Sequence, residues 1–172
     1  PFNNNVKSTA NGGVDPWPAS EYLNIWVCDM YTGGSPFVLG YAQFPGDDPA
    51  TDGVVLTYQH TGYRLGDTLA DPANLGRTAT HEVGHYFGLR HIWGDGDCTA
   101  SDSVTDTPNA AAASQQICTL TNNTCDDSAE PYWNGYDPFD MLENYMDYST
   151  DACMNMFTHG QKARMWSFLN TD

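Results

Sequence analysis

Five positions in one short segment of the chain have the residue types and the spacing of a catalytic metal site. The segment runs from His81 to His91 and reads H-E-x-x-H-x-x-G-x-x-H. Histidines four residues apart lie one turn apart on the same face of an α-helix, where their imidazoles can bind one Zn²⁺. The pattern therefore predicts a zinc site held by His81, His85 and His91, and a reaction in which a metal assists hydrolysis.

The other two fixed residues of the segment supply what such a site still needs. Glu82 lies beside the first ligand, so its carboxylate can accept a proton from the attacking water and pass it to the leaving amine. Gly88 is expected to take a positive φ, which ends the helix and turns His91 back as the third ligand. Three neutral imidazoles leave a fourth position open, which is typical of a catalytic zinc. The alternative is three ordinary histidines on an amphipathic helix.

A helix must carry the first part of this segment, and the flanking residues indicate how it is placed. Asn74 is the expected N-cap, and an apolar face is expected to point to the core. That face comprises Leu75, Ala79, Val83 and Tyr86. His60 and His159 belong to no motif, and we expect both at the surface.

The rest of the chain reads as a small α+β protein with a long irregular half. Strands are predicted at residues 22–28, 38–44 and 53–58, with a turn at residues 33–36. Residues 92–140 are rich in Gly, Asp, Asn and Pro and predict little regular structure. A last helix should start at a capping box formed by Thr158 and Gln161. Its apolar face is expected at Ala163, Trp166 and Leu169.

The zinc motif resembles that of the metzincin clan of zinc endopeptidases. Members of that clan also have a methionine-containing turn downstream, and Asn144-Tyr145-Met146-Asp147-Tyr148 fits it. The resemblance implies that Met146 forms an apolar floor under the imidazoles, and methionine suits this because its thioether fills irregular gaps. It also implies that Tyr148 donates a hydrogen bond to the oxyanion of the transition state. The alternative for Tyr148 is a packed aromatic side chain.

Within the clan, residues 76–165 are most similar to the pappalysin family, and to its bacterial and archaeal members in particular. The matching motifs are Gly76-Arg77-Thr78-Ala79-Thr80, His91-Ile92-Trp93-Gly94-Asp95, Thr105-Asp106-Thr107-Pro108, Asn144 to Ser149 and Cys153-Met154-Asn155-Met156-Phe157-Thr158. The resemblance implies a zincin-like α+β catalytic domain over residues 1–172. A mixed twisted sheet and the zinc helix would form an upper subdomain at about 1–91, and a loop-rich lower subdomain ending in a helix would follow at about 92–172.

The start of the chain departs from the clan's pattern. Metzincins open with a strand, a long backing helix and another strand before the region that begins here at Glu21. Only twenty mostly polar residues precede Glu21, and they show no helical period. We expect either the C-terminal part of a longer catalytic domain, which we favour, or a reduced upper lobe.

The resemblance also suggests a specificity. In the best-matching pappalysins an Asp shortly after the methionine turn lines the pocket for the residue just after the scissile bond. Asp151 occupies the matching position. A carboxylate at the base of a pocket selects Arg or Lys through a charge-assisted pair. The alternative is a solvated loop carboxylate, because Asp is common in this chain.

Five cysteines indicate the compartment of the protein. Cys98, Cys118, Cys125 and Cys153 lie in the loop-rich half, where disulfides are the natural staples. A structural zinc is the alternative, and four cysteines allow three pairings. The resemblance implies Cys98–Cys125 and Cys118–Cys153. Cys28 is left over in a predicted strand and is expected to be buried. Disulfides imply an oxidising, extracellular setting.

The negative charge of the chain disfavours anionic partners, and an oxygen-rich loop is a candidate site for a second metal ion. The formal net charge is −16, so nucleic acid and anionic lipid are poor partners, and no apolar run is long enough to span a membrane. Asp102, Thr105 and Thr107 form an oxygen-rich loop, around which the resemblance implies a Ca²⁺ site. A turn or N-cap role for these residues is the alternative.

Together these features predict a secreted zinc endopeptidase that hydrolyses protein or peptide substrates before Arg or Lys. Glu82 is the predicted proton carrier, and Tyr148 the predicted hydrogen-bond donor. Two rivals remain at this point: a catalytically silent, metzincin-like binding module, and a structural zinc or calcium protein without turnover.

Overall fold

A small mixed sheet and one helix form the first half of the fold, and a long irregular segment leads from them to a second helix. The computed structural model describes residues 4–32, 35–36, 38–62, 72–115 and 118–170. Its strands and α-helices are β1 (Ile25–Cys28), β2 (Tyr31–Thr32), β3 (Ser35–Pro36), β4 (Gly40–Ala42), β5 (Val54–Thr57), α1 (Arg77–Tyr86) and α2 (His159–Leu169). The predicted α+β fold class is confirmed.

The sheet is built around β5, whose Val-Val-Leu-Thr sequence is buried at all four positions. Such a run is typical of a strand covered on both faces. β1 pairs with it in parallel on one side, and β4 pairs with it antiparallel on the other. Among the described strands β4 therefore lies at an edge of the sheet, and α1 packs against both β4 and β5.

The three predicted strands are present but shorter than expected. β1 begins only at Ile25, and Tyr22 and Leu23 before it are exposed. The predicted turn at residues 33–36 is only partly testable. Ser35–Pro36 form strand β3, which pairs antiparallel with β2, whereas Gly33 and Gly34 lie outside the described residues.

The irregular half is held by covalent bonds and a compact apolar cluster. Cys98 is bonded to Cys125 with a Cα–Cα distance of 5.5 Å, and Cys118 is bonded to Cys153 at 5.9 Å. Cys28 is free and only partly buried. The buried apolar cluster consists of Leu89, Ile92, Trp93, Ala110 and Met146. It joins the end of α1 to the methionine turn.

Helix α1 corrects two predictions. Its N-cap is Gly76, with φ 82°, and the predicted cap Asn74 is buried two residues earlier. The predicted apolar face is also wrong, because Leu75 is exposed and Val83 is only half-buried. The buried positions are instead Thr78, His81, Glu82, Gly84 and His85. The helix turns its motif inward, so its buried face is mostly polar.

Helix α2 starts as predicted and packs differently. The capping box is present: Gln161 N donates to Thr158 Oγ1 at 3.0 Å, and Thr158 N donates to Gln161 Oε1 at 2.9 Å. The predicted apolar face is wrong, because Ala163, Trp166 and Leu169 are all exposed. Gln161 is fully buried and hydrogen-bonded to Asn144. The helix face that carries Gln161 therefore points inward, and Met165, one turn later on the same face, packs against the apolar cluster.

The two histidines outside the motif differ in their environment. His159 is exposed, as predicted. The surface prediction for His60 is wrong, because His60 is buried with its Nδ1 atom 2.8 Å from Ala73 O. The contact connects His60, three residues after the end of β5, to Ala73, four residues before the start of α1.

Candidate metal centre

The three motif histidines are all oriented through the same ring nitrogen. Each Nδ1 atom faces an oxygen that can only accept: Tyr145 O for His81 (2.7 Å), Leu89 O for His85 (2.8 Å) and Asp95 Oδ1 for His91 (2.5 Å). Nδ1 must therefore carry the ring hydrogen in each case, and a neutral ring then has a bare Nε2. The contacts fix both the tautomer and the direction of each imidazole.

The three Nε2 atoms converge on one point. The Nε2 atom of His91 lies 3.1 Å from that of His85 and 3.2 Å from that of His81. Burial lowers the pKa of His85 to about 4 and holds the pKa of His81 well below its usual value, so both rings are neutral at pH 7. His81 and His85 thus point bare lone pairs at the Nε2 atom of His91, an arrangement that suits a shared cation: tetrahedral zinc at about 2.0–2.1 Å from each nitrogen would separate the three by about 3.3–3.4 Å.

These histidines are the sole such group in the part of the chain that the structure describes. No other set of three or more His, Cys, Asp or Glu side chains there brings its ligand atoms close enough to hold a metal ion. The residues present thus fit a zinc ion with three protein ligands and one open position.

The third ligand reaches the site through the turn predicted at Gly88. Gly88 has φ 82°, a conformation that glycine adopts without the Cβ penalty, and α1 ends just before it. Its N–H donates to His85 O at 2.8 Å, and Leu89 N donates to Gly84 O at 3.0 Å. Since Leu89 O also accepts from the His85 ring, the turn that ends the helix orients a ligand as well.

The methionine turn is tied to the site on both sides of Met146. Tyr145 O accepts from the His81 ring, and Met146 O accepts from Ile92 N at 3.2 Å, one residue after His91. Met146 is fully buried. The turn is itself held by Asn144, whose Oδ1 accepts from Met146 N at 2.9 Å. Its contacts with the site are consistent with the predicted floor.

Glu82 lies in the cleft between the helix and the edge strand. Burial raises its pKa to about 8. A cation held by the neighbouring imidazoles would favour the carboxylate and lower that value. β4 passes directly alongside, because a Cβ atom built at Gly40 would lie 2.8 Å from the Cγ atom of Glu82. The acidic side chain and the exposed strand edge therefore belong to one cleft.

Tyr148 closes the other side of the histidine cluster. Its ring centroid lies 5.5 Å from that of His81, 4.9 Å from that of His91 and 4.8 Å from that of Trp93. Burial, with the charges of Glu82 and Asp95, raises its pKa to about 12, so the hydroxyl is protonated and can donate. Tyr148 remains 44% exposed, which leaves its ring accessible from the cleft.

Asp151 lies in the wall of the same cleft and has a second role that the sequence did not reveal. A cavity of about 370 Å³ is lined by His81, Glu82, Tyr148 and Asp151, among others. The Oδ2 atom of Asp151 accepts from Leu75 N at 2.8 Å and from Arg77 N at 3.1 Å. Asp151 thus holds the start of α1, the task that we assigned to Asn74.

The charge of Asp151 is partly balanced inside the protein. Burial raises the pKa of its carboxyl, and the two amides together with the charge of Arg77 oppose that rise. Arg77 also lines the cavity. Its guanidinium lies 5.5 Å from the ring centroid of Tyr145. A solvated loop carboxylate, the alternative considered above, does not describe this buried residue.

Two contacts of His91 were missed at the level of sequence. The indole of Trp93 stacks on the His91 ring with centroids 4.3 Å apart and planes 5° apart. Asp95 accepts from Nδ1 on the ring's outer edge. The sequence does place Asp95 four residues after His91, but that spacing predicts a side-chain contact only on a helix, and this segment is not helical.

Two of the three predicted calcium residues, Asp102 and Thr107, are hydrogen-bonded to each other. Asp102 Oδ1 accepts from Val104 N at 2.9 Å, and its Oδ2 lies 2.8 Å from the Oγ1 of Thr107, which also lies 2.7 Å from Val104 O. Thr105 is exposed. This is the turn role considered above. Calcium binding at this loop stays a prediction.

Comparison with known proteins decides the family. The sequence pattern of peptidase family M43, described as pregnancy-associated plasma protein-A, matches residues 8–170. The chain belongs to the pappalysin family. The resemblance drawn from the zinc motif and the methionine turn is thereby confirmed, and with it a family of zinc metalloendopeptidases.

Relatives of this pappalysin chain include fungal proteins named extracellular metalloproteases. One from Podospora anserina is 43% identical over 152 residues, which cover 85% of this chain and 46% of that protein. One from Colletotrichum graminicola is 48% identical over 98 residues, covering 56% of this chain and 31% of that protein. The chain spans about half the length, or less, of the curated relatives it matches.

A solved structure shares the fold. Mature mirolysin from Tannerella forsythia, in complex with a cleaved peptide, superposes with a TM-score of 0.81 and 42% identity, covering 98% of this chain and 60% of that one. The predicted metzincin-like architecture is thereby confirmed. Among the described residues, the helices are too short or too polar to cross a membrane.

Proposed function

We propose that this chain carries the catalytic centre of a secreted zinc endopeptidase. The observation that carries the proposal is the convergence of three Nε2 atoms, each left bare by an Nδ1 hydrogen bond, beside the buried carboxyl of Glu82. A structural zinc site would be closed by a fourth protein ligand, whereas the described residues bring only three ligand atoms together at this cluster. The cavity of about 370 Å³ beside the cluster offers room for a substrate.

The residues of the cleft divide the chemistry among them. Zinc bound to His81, His85 and His91 would supply a Lewis acid and lower the pKa of water toward about 7. Glu82 accepts the proton of the attacking water and returns it to the departing amine. The protonated hydroxyl of Tyr148 donates to the oxygen on which negative charge develops.

The edge strand offers the means to align a substrate. β4 is the last strand in the order of the described strands, next to β5, and it runs beside Glu82. An extended peptide can add to the edge of a sheet by backbone pairing, and such pairing along β4 would bring its scissile bond into register with the site. We expect substrate to run along β4 in this way.

The specificity proposed here is for Arg or Lys just after the scissile bond. Asp151 supports it, because this buried carboxylate lines the cavity that also contains His81 and Glu82. The positive charge of Arg77 offsets part of the negative charge of Asp151, so the preference depends on the Oδ1 atom of Asp151, which the amides of Leu75 and Arg77 leave unused. A single charge-assisted hydrogen bond to that oxygen can come from either Arg or Lys.

Secretion is proposed on two grounds. The irregular half contains two disulfides, which persist in oxidising compartments. The matched fungal relatives are named extracellular. Mature mirolysin was solved with a cleaved peptide, and we propose peptides and proteins as substrates here too.

The variant Glu82→Gln tests the catalytic assignment. It keeps the size of the side chain and removes its basicity, so we expect zinc to bind as in the wild type while peptide hydrolysis slows by several orders of magnitude. Glu130→Gln is the matched control, because Glu130 is exposed and far along the irregular segment. Both zinc content and turnover are measured on each protein.

The outcomes also separate the rivals. Wild-type turnover in Glu82→Gln would refute the assigned base. Zinc-loaded wild-type protein that does not hydrolyse any peptide of a diverse pool would support the catalytically silent binding module instead.

A further inference from the structure

The three ligand histidines are not held alike. His81 and His85 lie on α1, and their Nδ1 atoms donate to the backbone carbonyls of Tyr145 and Leu89. His91 lies beyond the helix, and its Nδ1 faces the carboxylate of Asp95 at 2.5 Å. Among the described residues, this third ligand alone pairs its outer nitrogen with a charged side chain.

The surroundings of His91 fix its ring plane and leave its rotation within that plane to Asp95. Trp93 stacks on the ring, with the centroids 4.3 Å apart, and Tyr148 meets it edge-on at 4.9 Å. Aromatic packing of this kind sets the plane of an imidazole but does not choose which nitrogen points to the metal. The short contact from Nδ1 to Asp95 makes that choice, because it directs Nε2 inward.

Asp95 is positioned for this contact by an unusual backbone. Its φ is 58°, in the left-handed region that non-glycine residues seldom adopt, and Gly94 before it has φ 61°. Two successive left-handed residues fold the chain back, so that the Asp95 side chain meets the ring four positions earlier. Asp95 itself is 62% exposed.

We propose that Asp95 is a positioning residue that orients His91 and strengthens the donation of its Nε2 atom to zinc. The inference rests on the proposed function, since it concerns the metal of that site. A carboxylate that accepts from the outer nitrogen of a ligand histidine fixes its tautomer and raises its basicity, and loss of such a partner typically weakens metal binding 10–100-fold.

The test is the zinc dissociation constant, measured by competition with a chromogenic chelator. Asp95→Ala should weaken zinc binding about 10–100-fold. The zinc dissociation constant of Asp95→Asn should lie between those of the wild type and Asp95→Ala, because the amide oxygen of Asn still accepts from Nδ1 but carries no charge. Asp97→Asn is the matched control: Asp97 is an exposed carboxylate two residues away that bonds only to Thr99 among the described contacts. It should bind zinc as the wild type does.

A second readout distinguishes orientation from general stability. The absorption spectrum of the Co²⁺-loaded protein reports the ligand field, and we expect Asp95→Ala to shift its visible bands while Asp97→Asn leaves them unchanged. Melting of the metal-free proteins checks that all variants fold.

Two results would overturn the inference. In one, Asp95→Ala binds zinc as tightly as the wild type; in the other, Asp97→Asn weakens binding as much as Asp95→Ala, which would reduce the effect to net charge. Failure of the wild-type protein to bind zinc at all would instead overturn the proposed function and this inference with it.

Discussion

Gly84 and Met146 occupy the same small space from opposite sides. A Cβ atom built on Gly84 would lie 2.4 Å from the Sδ atom of Met146, closer than any van der Waals contact allows. Gly84 comes just before the ligand His85 on α1, and Met146 is fully buried. The methionine turn therefore approaches α1 at the one residue of that helix that has no side chain.

This contact predicts that Gly84→Ala disturbs the site even though alanine is the better helix former. Alanine gains about 1 kcal/mol of helix propensity, but overpacking a filled core costs about 1–3 kcal/mol. We expect a net loss of up to about 2 kcal/mol and weaker zinc binding, because relief of the clash must move α1 or the turn. Denaturant unfolding and chelator competition measure the two effects.

A double-mutant cycle isolates the pair. Met146→Ala creates a cavity and should cost about 2–5 kcal/mol. In that background the added methyl of Gly84→Ala enters vacated space, so it should cost little or stabilise the protein. Equal effects of Gly84→Ala with and without the Met146 side chain would contradict the contact.

Tyr148→Phe separates the hydroxyl from the ring. The phenyl ring retains the packing against His81 and His91, so zinc affinity should not change. Turnover should fall about 100-fold, since removal of one hydrogen-bond donor to a developing oxyanion has an effect of that order. Steady-state kinetics on one peptide give the result. Unchanged turnover would mean that Tyr148 only packs.

Asp151→Asn tests specificity without breaking the helix start. The amide oxygen of Asn can still accept from Leu75 N and Arg77 N, so the melting temperature should stay close to that of the wild type. The preference for Arg over a neutral residue after the scissile bond should fall about 10–100-fold, in line with the loss of a hydrogen bond to a charged group. Asp126→Asn, an exposed carboxylate elsewhere, should leave the preference unchanged.

The raised pKa of Asp102 predicts that the protein loses stability as the pH rises, and Ca²⁺ bound to the carboxylate would oppose that loss. Burial raises its pKa from 3.8 to about 6, so the folded protein holds this proton more tightly than the unfolded chain. Its contribution to stability is fully present below pH 3.8 and is lost as the pH rises through about 6. Asp102→Asn removes that loss. In calcium-free buffer, the melting temperature of the variant minus that of the wild type should therefore increase as the pH rises from about 4 to above 6.

The same variant tests the calcium prediction. If Ca²⁺ binds the Asp102 carboxylate, added Ca²⁺ should raise the melting temperature of the wild type at pH 7 but not that of Asp102→Asn. An identical response of the two proteins to Ca²⁺ would exclude Asp102 as a ligand.

Local patterns in the sequence were enough for the parts of the site that lie close together along the chain. The spacing of His81, His85 and His91 with Gly88 predicts the cluster, because helix geometry and one positive φ fix it. The capping box at Thr158 and Gln161 was equally predictable. Residues 53–58 read as a buried strand from their apolar run, and β5 is that strand.

Other features depend on contacts between distant residues, and no periodicity encodes those. Asp151 caps α1 from 74 residues away, so Asn74 looked like the better choice. The inward face of α1 is polar because it meets the methionine turn, and helix α2 rotates to satisfy Gln161 against Asn144 instead of burying Trp166. In each case contacts between residues that are far apart in the sequence outweighed the hydrophobic pattern.

Mass-spectrometric mapping of every bond that the zinc-loaded protein cuts in a diverse peptide pool, with and without a zinc chelator, tests the central claim most directly. The account predicts cuts that disappear with the chelator, return on addition of Zn²⁺ and cluster before Arg and Lys. Chelator-sensitive cuts with another preference would retain the peptidase and remove the role of Asp151. Cuts that persist in the chelator, or none from protein that holds one zinc per chain, would contradict the account.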